Sequence, residues 1–304
     1  MHPMTGIALK LFSVMLFIIM SSLIKATSGH VPPGEAVFFR SAFAVPVILV
    51  WLWARGDLAT GLRVKSPMAH LWRGILGTTA MAMMFAGLGL LPLPEVTALS
   101  YAAPLLTVVF AAVFLREKVG IYRFGAVALG MAGVLTVLSP RLTGAAVEAG
   151  MTLGAALVLT GATCVAMVNI YLRKLVQTEQ TSAIVFYFSI TATCLSLLTL
   201  PFGWQIPSGT ELLMLVLAGI FGGSAQIFMT SAYRFADASV IAPFDYASIL
   251  FALIIGYLIF DEVPTLTVLC GAALVITAGC VVILRERQLG LKRGQVRKVK
   301  TPLG

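Results

Sequence analysis

Ten apolar stretches, each close to twenty residues long, set the terms for this chain. They run Met4 to Ile24, Ala36 to Ala54, Leu71 to Leu91, Val96 to Leu115, Ile121 to Leu138, Met151 to Leu172, Ala183 to Phe202, Leu212 to Tyr233, Ala238 to Phe260 and Thr265 to Leu284. A helix rises about 1.5 Å per residue, so about 20 apolar residues span a hydrocarbon core of roughly 30 Å. The connectors carry breakers, among them Pro32-Pro33, Pro92, Pro94, Pro140 and Pro264, and none is long enough to hold a soluble domain. With 59% hydrophobic and 11% charged residues, the chain lacks the polar surface of a soluble globule and the charge of a disordered one. Only helices and closed barrels satisfy their backbone in lipid, and runs of this length are helical. The expected fold is all-α and integral to the membrane, with ten transmembrane helices. The first run lacks a basic leading segment and is expected to stay as an uncleaved helix.

The basic residues orient the chain. With the amino terminus inside, 17 of the 21 Lys and Arg fall in inner loops and the tail, Arg73 among them. Only Lys25 and Arg141 fall outside, while Lys10 and Arg40 lie within runs. Cytoplasmic excess of positive charge therefore places both termini in the cytoplasm. The basic tail at 285–304 is expected to touch anionic lipid headgroups rather than nucleic acid. The cysteines Cys164, Cys194, Cys270 and Cys280 are scattered through apolar runs and read as small hydrophobes, not as a disulfide framework or a metal site. There is no Walker A loop, no paired Cys motif and no cluster among His2, His30 and His70, so neither a cofactor nor an enzymatic activity is expected.

The two halves align with each other. At an offset of 145, Gly74 and Gly77 fall on Gly219 and Gly222, Tyr101-Ala102 on Tyr246-Ala247, and Glu117 on Glu262. Near the start of each half the offset is 148, which sets Lys25 on Arg173 and Val37-Phe38 on Val185-Phe186. Each half holds five runs, and an odd number makes the second copy enter the membrane from the opposite side. The domains read as a first repeat at 4–138, a second at 151–284 and the tail. An inverted repeat is the architecture of alternating access, in which a site between the halves opens to each side in turn.

The stretches Ala103-Pro104-Leu105-Leu106-Thr107 and Phe114-Leu115-Arg116-Glu117-Lys118-Val119, with the second ending Phe260-Asp261-Glu262-Val263-Pro264, resemble the EamA repeat of the drug/metabolite transporter superfamily. The resemblance implies a ten-helix carrier of the bacterial inner membrane, with a central cavity lined mainly by helices 1, 3, 4, 6, 8 and 9. Ile249 stands where the first half has Pro104, which puts a mirrored kink in the ninth helix in doubt. The segments Gly6-Ile7-Ala8-Leu9-Lys10, Ile24-Lys25-Ala26 and Val31-Pro32-Pro33-Gly34-Glu35 are similar to the riboflavin-uptake branch and to branches carrying S-adenosylmethionine.

Polar groups within spans are costly and mark candidate transport residues. Asp245, read as seven residues into the ninth helix, is expected to face the cavity or else to pair with a nearby cation or hydroxyl, and Tyr246 and its repeat mate Tyr101 either offer flat faces for stacking or anchor at the interface. Asn169 and Gln226 are amides at depth that suit the edge of a heterocycle, or serve as interhelical glue. Lys10 either lines the cavity or snorkels to the inner surface, and Arg40, on a helix taken as peripheral, either snorkels to headgroups, the favoured reading, or steers an anionic substrate. Gly74, Gly77, Gly219, Gly222 and Gly223 are expected to let helices 3 and 8 approach closely, Ala126 and Gly130 to make a small-residue face, Glu117 and Glu262 to cap loops, and Met81, Met83 and Met84 to be adaptable packing or, as the lesser reading, a greasy cavity wall. Small-residue faces serve packing within a monomer or a homodimer. The expected function is secondary transport of a small organic metabolite, with riboflavin uptake first. Export of amino acids or related metabolites and S-adenosylmethionine transport share the fold. A membrane enzyme acting on lipid-linked substrates would need polar groups clustered at one interface, whereas here they are scattered through both halves.

Overall fold

The computed structural model describes residues 3–114, 121–143, 149–175, 178–235 and 242–299, and is helical throughout, with no strand among these residues. Numbered by membrane crossing, the helices are α1 Pro3–Thr27, α2 Pro33–Ala54, α3 Pro67–Leu90, α4 in two parts at Leu93–Ser100 and Ala102–Phe114, α5 Ile121–Thr143, α6 Ala149–Leu175, α7 Thr181–Leu197, α8 Gly209–Phe235, α9 at Ala247–Phe260 behind a 3-10 turn at Ala242–Tyr246, and α10 Leu266–Val299. Six crossings are long apolar helices and four are shorter apolar ones, so each of the ten runs has its helix. Prolines set the starts: Pro33 and Pro67 sit in the first turns of α2 and α3, where their missing N–H costs nothing. The chain departs from the sequence expectation at its end, because α10 continues as helix to Val299 rather than stopping at Leu284.

α4 breaks at Tyr101, which caps its first part. Pro104 explains the break, since its ring crowds the carbonyl four residues back and removes one helical donor. The second half breaks at the matching residue: Tyr246 ends the 3-10 turn and caps α9. The mirrored interruption is thus present without a proline at Ile249. At the far end of α9, Asp261 takes a left-handed conformation with φ 52°, and the Glu262 N–H returns to the Gly256 carbonyl at 3.0 Å.

Helix pairing maps onto itself when the halves are exchanged. α1 packs on α8 as α6 packs on α3, α2 packs on α8 as α7 packs on α3, and α5 lies against α10. Small residues permit these approaches. Gly74 and Gly77 abut Thr191 and Phe188 on α7, Gly219 and Gly223 abut Phe43 and Ala44 on α2, and Gly133 faces Gly271 where α5 crosses α10. The glycines of α3 and α8 therefore receive α7 and α2 rather than each other. Gly130 is covered from within the chain, by Leu105 and Ala278. The first part of α4 is the centre of the core, with Leu93, Ala98 and Leu99 buried, while Trp53, Val113 and Phe202 stand exposed around the bundle as a lipid-facing belt.

Candidate substrate site

A cavity of about 590 Å³ opens between the halves. That is within the range that encloses a drug-sized molecule. α1, α3, α4, α6, α8 and α9 all reach it, and so do α2 and α7, which add Arg40 and Phe188. Its wall is largely apolar, built from Phe17, Met81, Met84, Phe85 and Leu88. Met81 and Met84 fill both expected roles: they pack against the core and line the cavity, because α3 turns this side toward the interior, and their flexible thioethers make an adaptable wall.

The six residues selected from the sequence fall into two groups. Tyr101, Asn169 and Gln226 line the cavity. Asp245, Tyr246 and Lys10 stand beside it, behind Tyr101. Asp245 lies in the 3-10 turn, not within a continuous helix, and its carboxylate pairs with the Lys10 ammonium at 2.7 Å. Lys10 is 1% exposed, so it neither lines the cavity nor snorkels. Its long side chain stays inside because a carboxylate meets it there. Tyr246 stacks on Tyr101 with ring centres 4.7 Å apart, and its phenol rests on Gly279 of α10, where a Cβ would collide with it. The Tyr101 hydroxyl donates to the Asp245 carbonyl and meets the Ser248 hydroxyl at 2.8 Å. The Asn169 amide nitrogen reaches Thr107 Oγ at 3.4 Å. A continuous polar seam thus runs from Lys10 through Asp245 and Tyr101 to the cavity wall, joining α1 and α9 to α4.

Two cavity residues depart from the sequence reading. Arg40 is 6% exposed and points inward, because α2 is sandwiched between α7 and α8 rather than peripheral. Arg73 belongs to α3, which begins at Pro67, and not to an inner loop. The two guanidinium carbons lie 5.8 and 4.1 Å from the centre of the same Phe188 ring. Both Nε atoms and one terminal nitrogen of Arg73 are buried without a hydrogen-bond partner. The repeat carries a signal for this: at the offset of 148 the mate of Arg40 is Phe188, so the charge is unique to the first half and breaks the symmetry.

Lys25 and Glu262 meet at the α3–α4 turn, beside the cavity-lining Leu88 and Leu93. Lys25 Nζ lies 2.9 Å from the Glu262 carboxylate and donates to the Leu88 and Leu91 carbonyls at 3.1 and 2.6 Å. Glu262 also accepts the Leu93 N–H at 2.8 Å, which caps the first part of α4. The carboxylate thus serves the capping role expected of it, across the repeats. Its mate Glu117, and the side chain of Arg173, lie outside the described residues. Beyond the spans, Glu179 ties the α6–α7 connection to α3. It accepts N–H bonds from Lys65 at 2.9 Å and Ser66 at 2.8 Å, with His70 Nε2 3.6 Å away. No cluster of three or more His, Cys, Asp or Glu suits a metal ion among the described residues.

Comparison with known proteins agrees with this arrangement. A model of the EamA-like transporter family matches residues 4–139 and again 152–285. The S-adenosylmethionine uptake transporter of Rickettsia felis is 28% identical over 285 residues, covering 94% of each chain. The pseudopaline exporter CntI of Pseudomonas aeruginosa is 28% identical over 289 residues, 93% of this chain and 97% of that one. The riboflavin transporter of Rhizobium johnstonii is 30% identical over 256 residues, 84% of this chain and 82% of that one.

Proposed function

The chain belongs to the EamA-like transporter family, and from that premise we propose that it moves a small organic metabolite through the central cavity by alternating access, with riboflavin uptake as the first substrate and direction to test. The observation that carries this reading is the cavity of about 590 Å³ shared by the two repeats, with its flat Tyr101 face beside the Asn169 and Gln226 amides. An apolar wall with a few convergent polar groups encloses a ring system and orients its edge. Riboflavin offers a flat fused ring with an amide-like edge to such a lining. The self-mapping of the helix pairs supports alternating access, because the bundle that closes one side has its counterpart for the other.

We place the carrier in a bacterial inner membrane with both termini in the cytoplasm. The excess of Lys and Arg in the loops that would face inward supports this. On that orientation Lys25 and Glu262 close the outer side. A second reading, S-adenosylmethionine uptake or export of an amino-acid-like metabolite, is favoured by the two guanidiniums on the cavity wall, which neutral riboflavin leaves unused.

The test is growth rescue of a riboflavin auxotroph that lacks its own importer, at limiting riboflavin, with labelled uptake followed in the same cells. Rescue with saturable uptake is expected. Confirmed membrane expression without rescue would overturn riboflavin and direct the assay to S-adenosylmethionine and amino acids.

A further inference from the structure

We infer that Arg40 and Arg73 form an oxyanion subsite in the cavity, one that takes a carboxylate or a phosphate ester. The inference rests on the reading of this cavity as the transport site, and it develops the second reading given there, an acid-bearing metabolite in place of riboflavin.

Arginine stays charged in proteins and presents five N–H donors. Among the described residues neither guanidinium has a carboxylate within ion-pair distance, and Arg40 Nε, Arg73 Nε and one Arg73 terminal nitrogen are buried without an acceptor. Both guanidinium carbons lie near the Phe188 ring, 5.8 and 4.1 Å from its centre. A cation is attracted to an aromatic face, yet the ring supplies no counter-charge. Two like charges held beside one ring also repel. Arginines with only structural roles are ordinarily matched by a carboxylate or by carbonyls, as Lys25 is by Glu262, Leu88 and Leu91. Here no described residue supplies the matching anion, and both arginines line the cavity.

The remaining lining describes the rest of the molecule. Met81, Met84 and Phe17 provide an apolar wall between the guanidiniums and Tyr101. A substrate with an acidic group at one end and a flat ring at the other fills both, and the acid supplies the counter-charge that the arginines lack. Riboflavin 5′-phosphate has this form. Riboflavin does not.

The experiment measures binding, independently of transport. The purified full chain in detergent is titrated with benzoate, phenyl phosphate and the uncharged isostere benzamide at constant ionic strength, and its melting temperature is followed. At least one anion is expected to raise the melting temperature saturably while benzamide does not. Arg40→Gln and Arg73→Gln are each expected to move the midpoint of that titration about tenfold higher, since a hydrogen bond to a charged group is worth about that factor or more. Arg40→Lys keeps the charge and is expected to retain most of the response. A stronger response to phenyl phosphate assigns a phosphate ester, and a stronger response to benzoate a carboxylate. Equal responses to the anions and benzamide, no response to either anion, or an anion response unchanged in both Gln variants would overturn the subsite. Growth rescue by riboflavin with no anion response would remove this inference and leave the carrier standing, whereas an anion response without transport would do the reverse.

Discussion

Lys25 and Glu262 meet at 2.9 Å, tying the end of α1 in the first repeat to the turn that follows α9 in the second. The same carboxylate caps α4 at Leu93, so one residue binds three elements at one end of the cavity. An ion pair that ties three elements together at this point is expected to act as a latch for that end.

Breaking the latch is expected to open it. Glu262→Ala leaves the Leu93 N–H without its acceptor and Lys25 without its counter-charge, at a cost of about 1–3 kcal/mol. A cysteine introduced at Ser100, on the cavity wall, should react faster with a membrane-impermeant maleimide in the Glu262→Ala background than in the parent. An unchanged rate would show that the pair does not hold this end shut.

The Lys10–Asp245 pair predicts an asymmetric response to mutation. Asp245→Asn removes the counter-charge of a buried ammonium, which is expected to lower the melting temperature, though less than for a fully dry pair because the Asp245 side chain is 39% exposed. Adding Lys10→Met should recover much of that loss in melting temperature. If Asp245 also serves transport as proposed, the double variant will melt normally and still transport poorly, and normal uptake would assign the pair to structure alone.

Tyr101 separates ring from hydroxyl. Tyr101→Phe removes the bonds to Asp245 and Ser248 and keeps the stack on Tyr246, so it should alter stability by about 1 kcal/mol. Tyr101→Ala removes the flat face and is expected to raise the apparent KM for a ring-bearing substrate at least tenfold. Equal effects of the two substitutions on uptake would show that the face makes no substrate contact. Gly279→Ala should reproduce part of the Tyr101→Ala effect, because a Cβ there evicts the Tyr246 phenol and unseats the stack.

Glu179 predicts an acid-sensitive step. Burial pushes its carboxyl up, but the N–H groups of Ser66 and Lys65 together with His70 outweigh this and hold it below the usual carboxylate range. A depressed pKa in the folded state contributes stability that is complete above the unfolded value of about 4.3 and fades as pH falls below it. The melting temperature of the parent should therefore drop more steeply than that of Glu179→Gln between pH 5 and pH 3, and parallel curves would refute the linkage.

Much of this architecture was legible in the chain itself. Hydrophobic length fixes the number of crossings because lipid leaves the backbone no alternative to the helix. The second break, at Tyr246, was put in doubt by Ile249, and the partner that Glu262 caps, Leu93, lies in the other repeat where no local pattern points to it. What the sequence left undecided is which way a polar side chain turns, since a residue inside a span faces lipid, a neighbour or a cavity according to helix rotation. Lys10 was ambiguous until Asp245 met it from the other repeat. Arg40 and Arg73 read as surface charges, and only the packing of α2 between α7 and α8 turned them inward to a shared ring. Local chemistry determines where helices run and end. Long-range packing decides which of their polar groups face the substrate, because that depends on partners far away in the chain.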